Sequence, residues 1–171
     1  MTQVGSPLGR VLADADGARL EFRRDHRVPV EDLWAALTEP ERLARWIGTW
    51  TGEPEVGGTV LFSMLHEAEL GDPEPVTILE CEPRQRLVVR WQVPDAQAWE
   101  VALTLTPSAT GSSLLFSQRL DSTEGMADIG PGWQWYLDKL AAALGEAPEP
   151  AGWDDYFPPL RESYAVQVRH P

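Results

Sequence analysis

The sequence predicts an α+β domain: an antiparallel sheet of about six or seven strands, covered on one face by a long C-terminal helix, with two short helices after the first strand. Three observations carry this. From Thr51 to Leu120 the chain runs in short stretches of period two, separated by Gly and Pro. In DIGPGWQWYLDKLAAALG (Asp128–Gly145), Ile129, Trp133, Tyr136, Leu137, Leu140 and Leu144 recur at offsets of three and four, which places them on one helix face. Between the first strands and the period-two region lie two helix-start signals in series. A sheet with one apolar face needs a cover, and the last helix supplies it.

Residues 1–8 read as a flexible N-terminus and 9–145 as the domain. From Gly9, GRVLA, the turn Asp14–Gly17 and ARLEFRRDHRV form a hairpin, because Asp-Gly accepts the positive φ of tight turns. In its second arm Leu20 and Phe22 alternate with Arg19, Glu21 and Arg23, so one side is wet. Glu31 and Asp32 favour a helix start, and Leu33, Trp34 and Leu37 give that helix an apolar edge. Thr38 and Glu41 have capping-box spacing for a second helix running to about Trp46 and ended by Gly48.

Strands follow at TVLFSMLH (Thr59–His66), VTILECE (Val76–Glu82), RLVVRWQV (Arg86–Val93), WEVALTLTP (Trp99–Pro107) and SSLLFSQRL (Ser112–Leu120). In the last three, Leu87, Val89 and Trp91, then Trp99, Val101, Leu103 and Leu105, then Leu114, Phe116 and Leu120 mark one face. Glu80 shares a face with Val76 and Ile78, and alternation alone leaves open which face of that strand is buried. In the final helix Pro131 is tolerable only in the first turn, and Gly145 is the stop. Residues 146–171 read as a linker and an aromatic tail that packs on the domain or a partner subunit. Trp135 lies about 200° round the helix from Trp133 and faces that tail or partner.

A chain of 171 residues is one domain's worth. The 27 acidic and 14 basic residues give a net charge of −13, which disfavours nucleic acid and anionic membrane surfaces as partners. No stretch has the length and apolarity of a membrane span, and MTQVGSPLGR lacks the features of a signal peptide, so the expected location is cytoplasmic. Cys81 is the sole cysteine and reads as a small apolar filler. His26, His66 and His170 lie in separate segments, none with a carboxylate or cysteine at metal-ligand spacing. No nucleophile elbow, HExxH, CxxC, phosphate loop or dinucleotide turn occurs. Neither a metal nor another cofactor is expected, and no catalytic residue is assigned.

VPVEDLWAALTEPERLARWIG (Val28–Gly48) resembles the signature of bacterial proteins related to the activator of the heat-shock protein 90 ATPase. Gly57-Gly58, the segment Ile78–Trp91, and Gly132, Trp133, Leu137 and Leu140 are similar to further motifs of that family. The resemblance covers roughly residues 18–145 and implies the START-like helix-grip fold: a sheet curled around the last helix, with an apolar cavity between them opening near the two small helices. Relatives in this superfamily use such cavities for lipids, polyketides, plant hormones and other aromatic molecules. Ile47 stands where the family often has a second Trp, and the tail after Gly145 is an extension.

The expected ligand contacts are Trp46, Phe62, Met64, His66, Trp91, Phe116, Gln118, Ile129, Trp133 and Leu137. Most of these come from the inward faces of strands and helix, where core packing competes with ligand contact. His66 and Gln118 are reached by counting in twos from Phe62 and Met64 and from Leu114 and Phe116, and would orient a guest in an apolar pocket. The competing roles are a solvated strand end for His66 and backbone satisfaction for Gln118. Three functions follow: non-covalent binding of a small hydrophobic or aromatic molecule, without catalysis; a protein-interaction role as a chaperone regulator, linked to stress response; or a cyclase or aromatase acting on polyketides, with His66 and Gln118 moving protons. Trp135 and the tail leave a homodimer open.

Overall fold

The computed structural model describes residues 5–170. Its elements run β1 (Arg10–Asp14), β2 (Gly17–His26), α1 (Val30–Thr38), α2 (Pro40–Leu43), β3 (Gly48–Thr51), β4 (Thr59–Met64), β5 (Glu74–Glu82), β6 (Arg86–Trp91), β7 (Trp99–Ser108), β8 (Gly111–Leu120), α3 (Met126–Ala143) and α4 (Arg161–Arg169). The strands form one antiparallel sheet in the order β1-β2-β8-β7-β6-β5-β4-β3. This is the expected α+β helix-grip fold, with eight strands where six or seven were expected. The addition is β3, which pairs Gly48 with Met64 and Trp50 with Phe62. Gly48 therefore opens a strand instead of closing a helix; a Cβ there would run into the Ser63 carbonyl oxygen.

The junction of the small helices also differs from the capping-box expectation. Thr38 Oγ1 turns back to donate to Trp34 O at 2.7 Å, and Glu39 occupies the cap position with no side-chain cap bond. Pro40 then starts α2 at a position where its missing N–H costs nothing. Regular helix ends at Leu43, and a turn carries residues 44–47 into β3.

α3 begins two residues before the expected start at Asp128, at Met126, so Pro131 falls in the second turn instead of the first. Trp133, Tyr136, Leu137 and Leu140 are buried on the sheet side, each contributing about 1.5–3 kcal/mol of burial as an upper bound. Ile129 and Leu144, at the two ends of the stripe, are half-buried. The other side of α3 is buried too. Tyr164 of α4 lies over Gly130, where a Cβ would stand 2.5 Å from its ring. Its hydroxyl accepts from Gly9 N at 2.9 Å and donates to Gln134 Oε1 at 2.6 Å. Gln134 Nε2 in turn donates to Ser6 Oγ at 3.0 Å, and Asp138 accepts from Ser6, Arg24 and Tyr156. Ser6 is thus anchored, while residues 1–4 of the expected flexible N-terminus lie outside the described residues.

Trp135 faces the tail: its ring is 5.6 Å from that of Trp153, and Nε1 donates to Ala151 O at 3.2 Å. At the end of α3, Glu146 accepts from Arg27 N at 2.7 Å and lies 2.9 Å from His26 Nδ1. The helix is therefore held between a sheet in front and a tail behind.

Candidate functional site

Between α3, the sheet and the two small helices lies a cavity of about 610 Å3. Its floor is Phe116, Trp133 and Leu137, all buried, and its walls are Val60, Phe62, Val76, Ile78 and Trp91 from β4 to β6. Leu87, Val89 and Leu103 point into it and are only half-buried, although the alternation of β6 and β7 directs them inward. Inward residues that keep accessible surface are the direct mark of an unfilled interior, because a packed core leaves few voids larger than water. The mouth is edged by Thr38–Pro40 between α1 and α2, by Pro54–Val56 between β3 and β4, and by Cys81 and Pro83 near the β5–β6 turn.

A bulge shapes that wall. Ile78 pairs with Val89 and Glu80 with Val88, so Leu79 is the extra residue in β5. The parity of β5 flips across it: Val76 and Ile78 line the cavity before the bulge, and Cys81, opposite Leu87, after it. Glu80 faces out, its carboxylate 3.0 Å from Arg86 Nε. Bulges of this kind bend a strand and increase its twist, which is what curls the sheet round α3.

Seven aromatic side chains line the cavity among a larger number of aliphatic ones, and hydrogen bonds fix the orientations of three of them. Five of the eight tryptophans, Trp34, Trp46, Trp50, Trp91 and Trp133, border the cavity. Trp46 Nε1 donates to Ala36 O and Trp50 Nε1 to Thr38 O, both at 2.8 Å, and Trp133 Nε1 donates to Gln118 Oε1 at 2.5 Å. Trp91 stands edge-on to Phe62 with ring centroids 4.9 Å apart, and Trp133 tilts on Phe116 at 4.5 Å. Trp46, Trp50 and Trp133 thus spend their indole N–H groups on protein acceptors, while Trp91 Nε1 has no partner among the described residues.

Of the ten residues expected to contact ligand, Trp46, Phe62, Trp91, Phe116, Trp133 and Leu137 border the cavity. The other four do not. β4 ends at Met64, which pairs with Gly48 beside the rim. The count by twos therefore fails at His66, whose Nε2 sits 2.9 Å from Ala44 O and ties the strand end to the turn after α2. Gln118 does face inward and is fully buried, but it holds Trp133 in place, and its Nε2 has no partner among the described residues. Ile129 lies at the half-buried start of α3. Reading from sequence missed Trp50, for want of β3, and the mouth residues Glu39 and Glu55; Leu87, Val89 and Leu103 were legible as inward-facing but not as a cavity wall.

Beyond one end of the cavity, Tyr136 donates to Glu67 Oε1 at 2.8 Å. Burial pushes the Glu74 carboxyl above the usual carboxylate range and nearby Glu67 adds to this, while the Trp91 indole opposes it, facing Glu74 without closing a hydrogen bond. Among the described residues no group of three His, Cys, Asp or Glu side chains is placed to hold a metal ion, and no helix is long and apolar enough to cross a membrane.

The architecture is shared with solved structures. CalU16 from Micromonospora echinospora is 25% identical over 95% of this chain and 96% of its own, with a TM-score of 0.75. DynU16, a protein in the dynemicin biosynthetic locus, is 25% identical over 74% of this chain and 47% of its own, with a TM-score of 0.66. Protein MLL2253 from Mesorhizobium loti is 26% identical over 75% of this chain and 98% of its own, with a TM-score of 0.63. No curated protein matches the chain. The family model described as activator of Hsp90 ATPase homolog 1-like protein matches residues 27–145, a span that takes in both small helices, β3 to β8 and the whole of α3. The chain belongs to that family.

Proposed function

We propose that the protein binds a small hydrophobic or aromatic molecule, non-covalently, in the cavity between α3 and the sheet. The observation that carries this is an aromatic-lined space of about 610 Å3, within the range of roughly 300–1,000 Å3 usual for small-molecule pockets. A void of that size among buried Trp and Phe forgoes dispersion contacts that a guest of matching shape restores. The rigid ring faces lower the entropy cost of capture, since they are already ordered.

Titration with N-phenyl-1-naphthylamine, 2-naphthylmethanol and a steroid, followed by tryptophan quenching and melting temperature, tests the reading. Quenching with a rise in melting temperature is expected for the guests that fit, and Leu103→Trp, which fills the cavity, should abolish it. Silence across the panel, or binding untouched by Leu103→Trp, would reject the reading.

A second reading, a cyclase-like enzyme, is favoured by the biosynthetic locus in which DynU16 lies. It loses the two residues first assigned to proton transfer, since His66 and Gln118 do not border the cavity. Thr38, Glu39, Glu55 and Cys81 are the groups left to it. A chaperone-regulating role rests on the family description alone.

A further inference from the structure

The charge of the lining is as one-sided as its apolarity. The residues that border the cavity include Glu39, Glu55 and Cys81 but no Lys, Arg or His. Glu39 sits at the break between α1 and α2, and Glu55 in the loop before β4. Both are exposed, and neither carboxylate has an ion pair or hydrogen bond with a described residue. Unpaired surface carboxylates are ordinary on a chain of net charge −13. These two differ in place, since they edge the same opening as the half-buried rings of Trp34 and Trp50. The nearest cation in sequence to the mouth, Arg84 beside Pro83, is directed to Glu31 at 4.0 Å and is not on the wall.

Resting on the cavity reading above, we propose that the site selects its guest by charge: it takes a neutral aromatic molecule, takes one bearing an ammonium group more tightly, and turns carboxylates away, with Glu39 and Glu55 as the specificity-determining residues. A carboxylate guest entering this space would leave water without a cation to meet it, and a buried unpaired charge is costly. An ammonium on an apolar guest can stay at the mouth, where indole faces attract it through their quadrupoles and the two carboxylates supply opposite charge. Low-dielectric walls concentrate that field at the opening. The guest's ring system then fills the aromatic interior.

Three probes of one ring size separate the effects: 2-naphthylmethylamine, 2-naphthylmethanol and 2-naphthoate, titrated at low and at high salt with tryptophan quenching as the readout. The alcohol is expected to bind, the amine to bind about three- to tenfold more tightly at low salt, and the naphthoate to bind more weakly than the alcohol, as expected for exposed ion pairs aided by cation–π contact. High salt should narrow the gap. In the double variant Glu39→Gln/Glu55→Gln the amine should fall to the affinity of the alcohol, while the alcohol binds as before. Naphthoate binding as well as the alcohol, an amine preference that survives the double variant, or loss of alcohol binding in that variant would each overturn the proposal. If none of the three probes binds, the cavity reading fails and this inference fails with it.

Discussion

Trp133 Nε1 and Gln118 Oε1 are 2.5 Å apart, joining the centre of α3 to β8 at the floor of the cavity. Both residues are buried, so neither side of the bond has water as an alternative partner. Gln118→Leu should therefore leave the indole N–H unsatisfied and destabilise the fold by about 1–3 kcal/mol, read as a lower urea midpoint. Guest binding should weaken as well, because the Trp133 ring loses the bond that sets its tilt against Phe116. Unchanged stability would show that the amide's own unpartnered Nε2 offsets what the bond contributes.

Gly130 is the point where the tail meets α3. A methyl group there runs into the Tyr164 ring at 2.5 Å, so Gly130→Ala should displace α4 despite the gain in helix propensity. The expected cost is about 1–3 kcal/mol, the range for overpacking. Hydrogen exchange should quicken across residues 153–169 and leave β4–β7 unchanged; equal quickening in the sheet would mean that the tail and sheet do not open separately.

All three tyrosines are held above the ordinary phenol pKa, chiefly by burial. Tyr136 and Tyr156 are pushed further by the carboxylates they donate to, Glu67 and Asp138, whereas Tyr164 is partly relieved by Gly9 N and Arg24. The neutral phenol is thus favoured by folding, so stability falls as pH rises past about 10, where an unfolded tyrosine ionises. Spectrophotometric titration should show no tyrosinate at that pH in the native protein, and its appearance should coincide with loss of tertiary circular dichroism. Tyrosinate absorbance rising while the protein stays folded would contradict this burial.

Glu74 bears the same sign of shift. A carboxyl whose folded pKa exceeds its unfolded one favours folding when protonated, and this benefit is lost as pH climbs through the carboxylate range. Glu74→Gln should raise the melting temperature at neutral pH, and the difference from the native protein should shrink on acidification below that range. A gain independent of pH would point to packing instead of ionisation.

Much of the fold is legible along the chain because periodicity reports which side of an element is dry. The stripe from Trp133 to Leu140 and the alternation around Leu103 and Phe116 needed no partner to be recognised. β3 escaped because Gly48–Thr51 offers a single large apolar side chain, too little for a period to show. Counting by twos reached Gln118, which is buried, and overshot at His66, because a strand's end depends on where its neighbour stops. The apparent capping box failed for a similar reason: Thr38 Oγ1 already had the Trp34 carbonyl within reach.

The amino-acid sequence by itself determined the elements other than β3 and α4, the faces they bury, the acidic charge and the family. Tertiary structure alone decided that Leu87, Val89 and Leu103 face open space, that the bulge at Leu79 brings Cys81 to the rim, and that Gln118 accepts from the Trp133 indole. Hydrophobic patterning records that a side chain leaves water, and it is the same whether that side chain meets another or an empty volume. The volume itself is a small difference between two curved surfaces, set by sheet twist and rotamers that no single segment encodes.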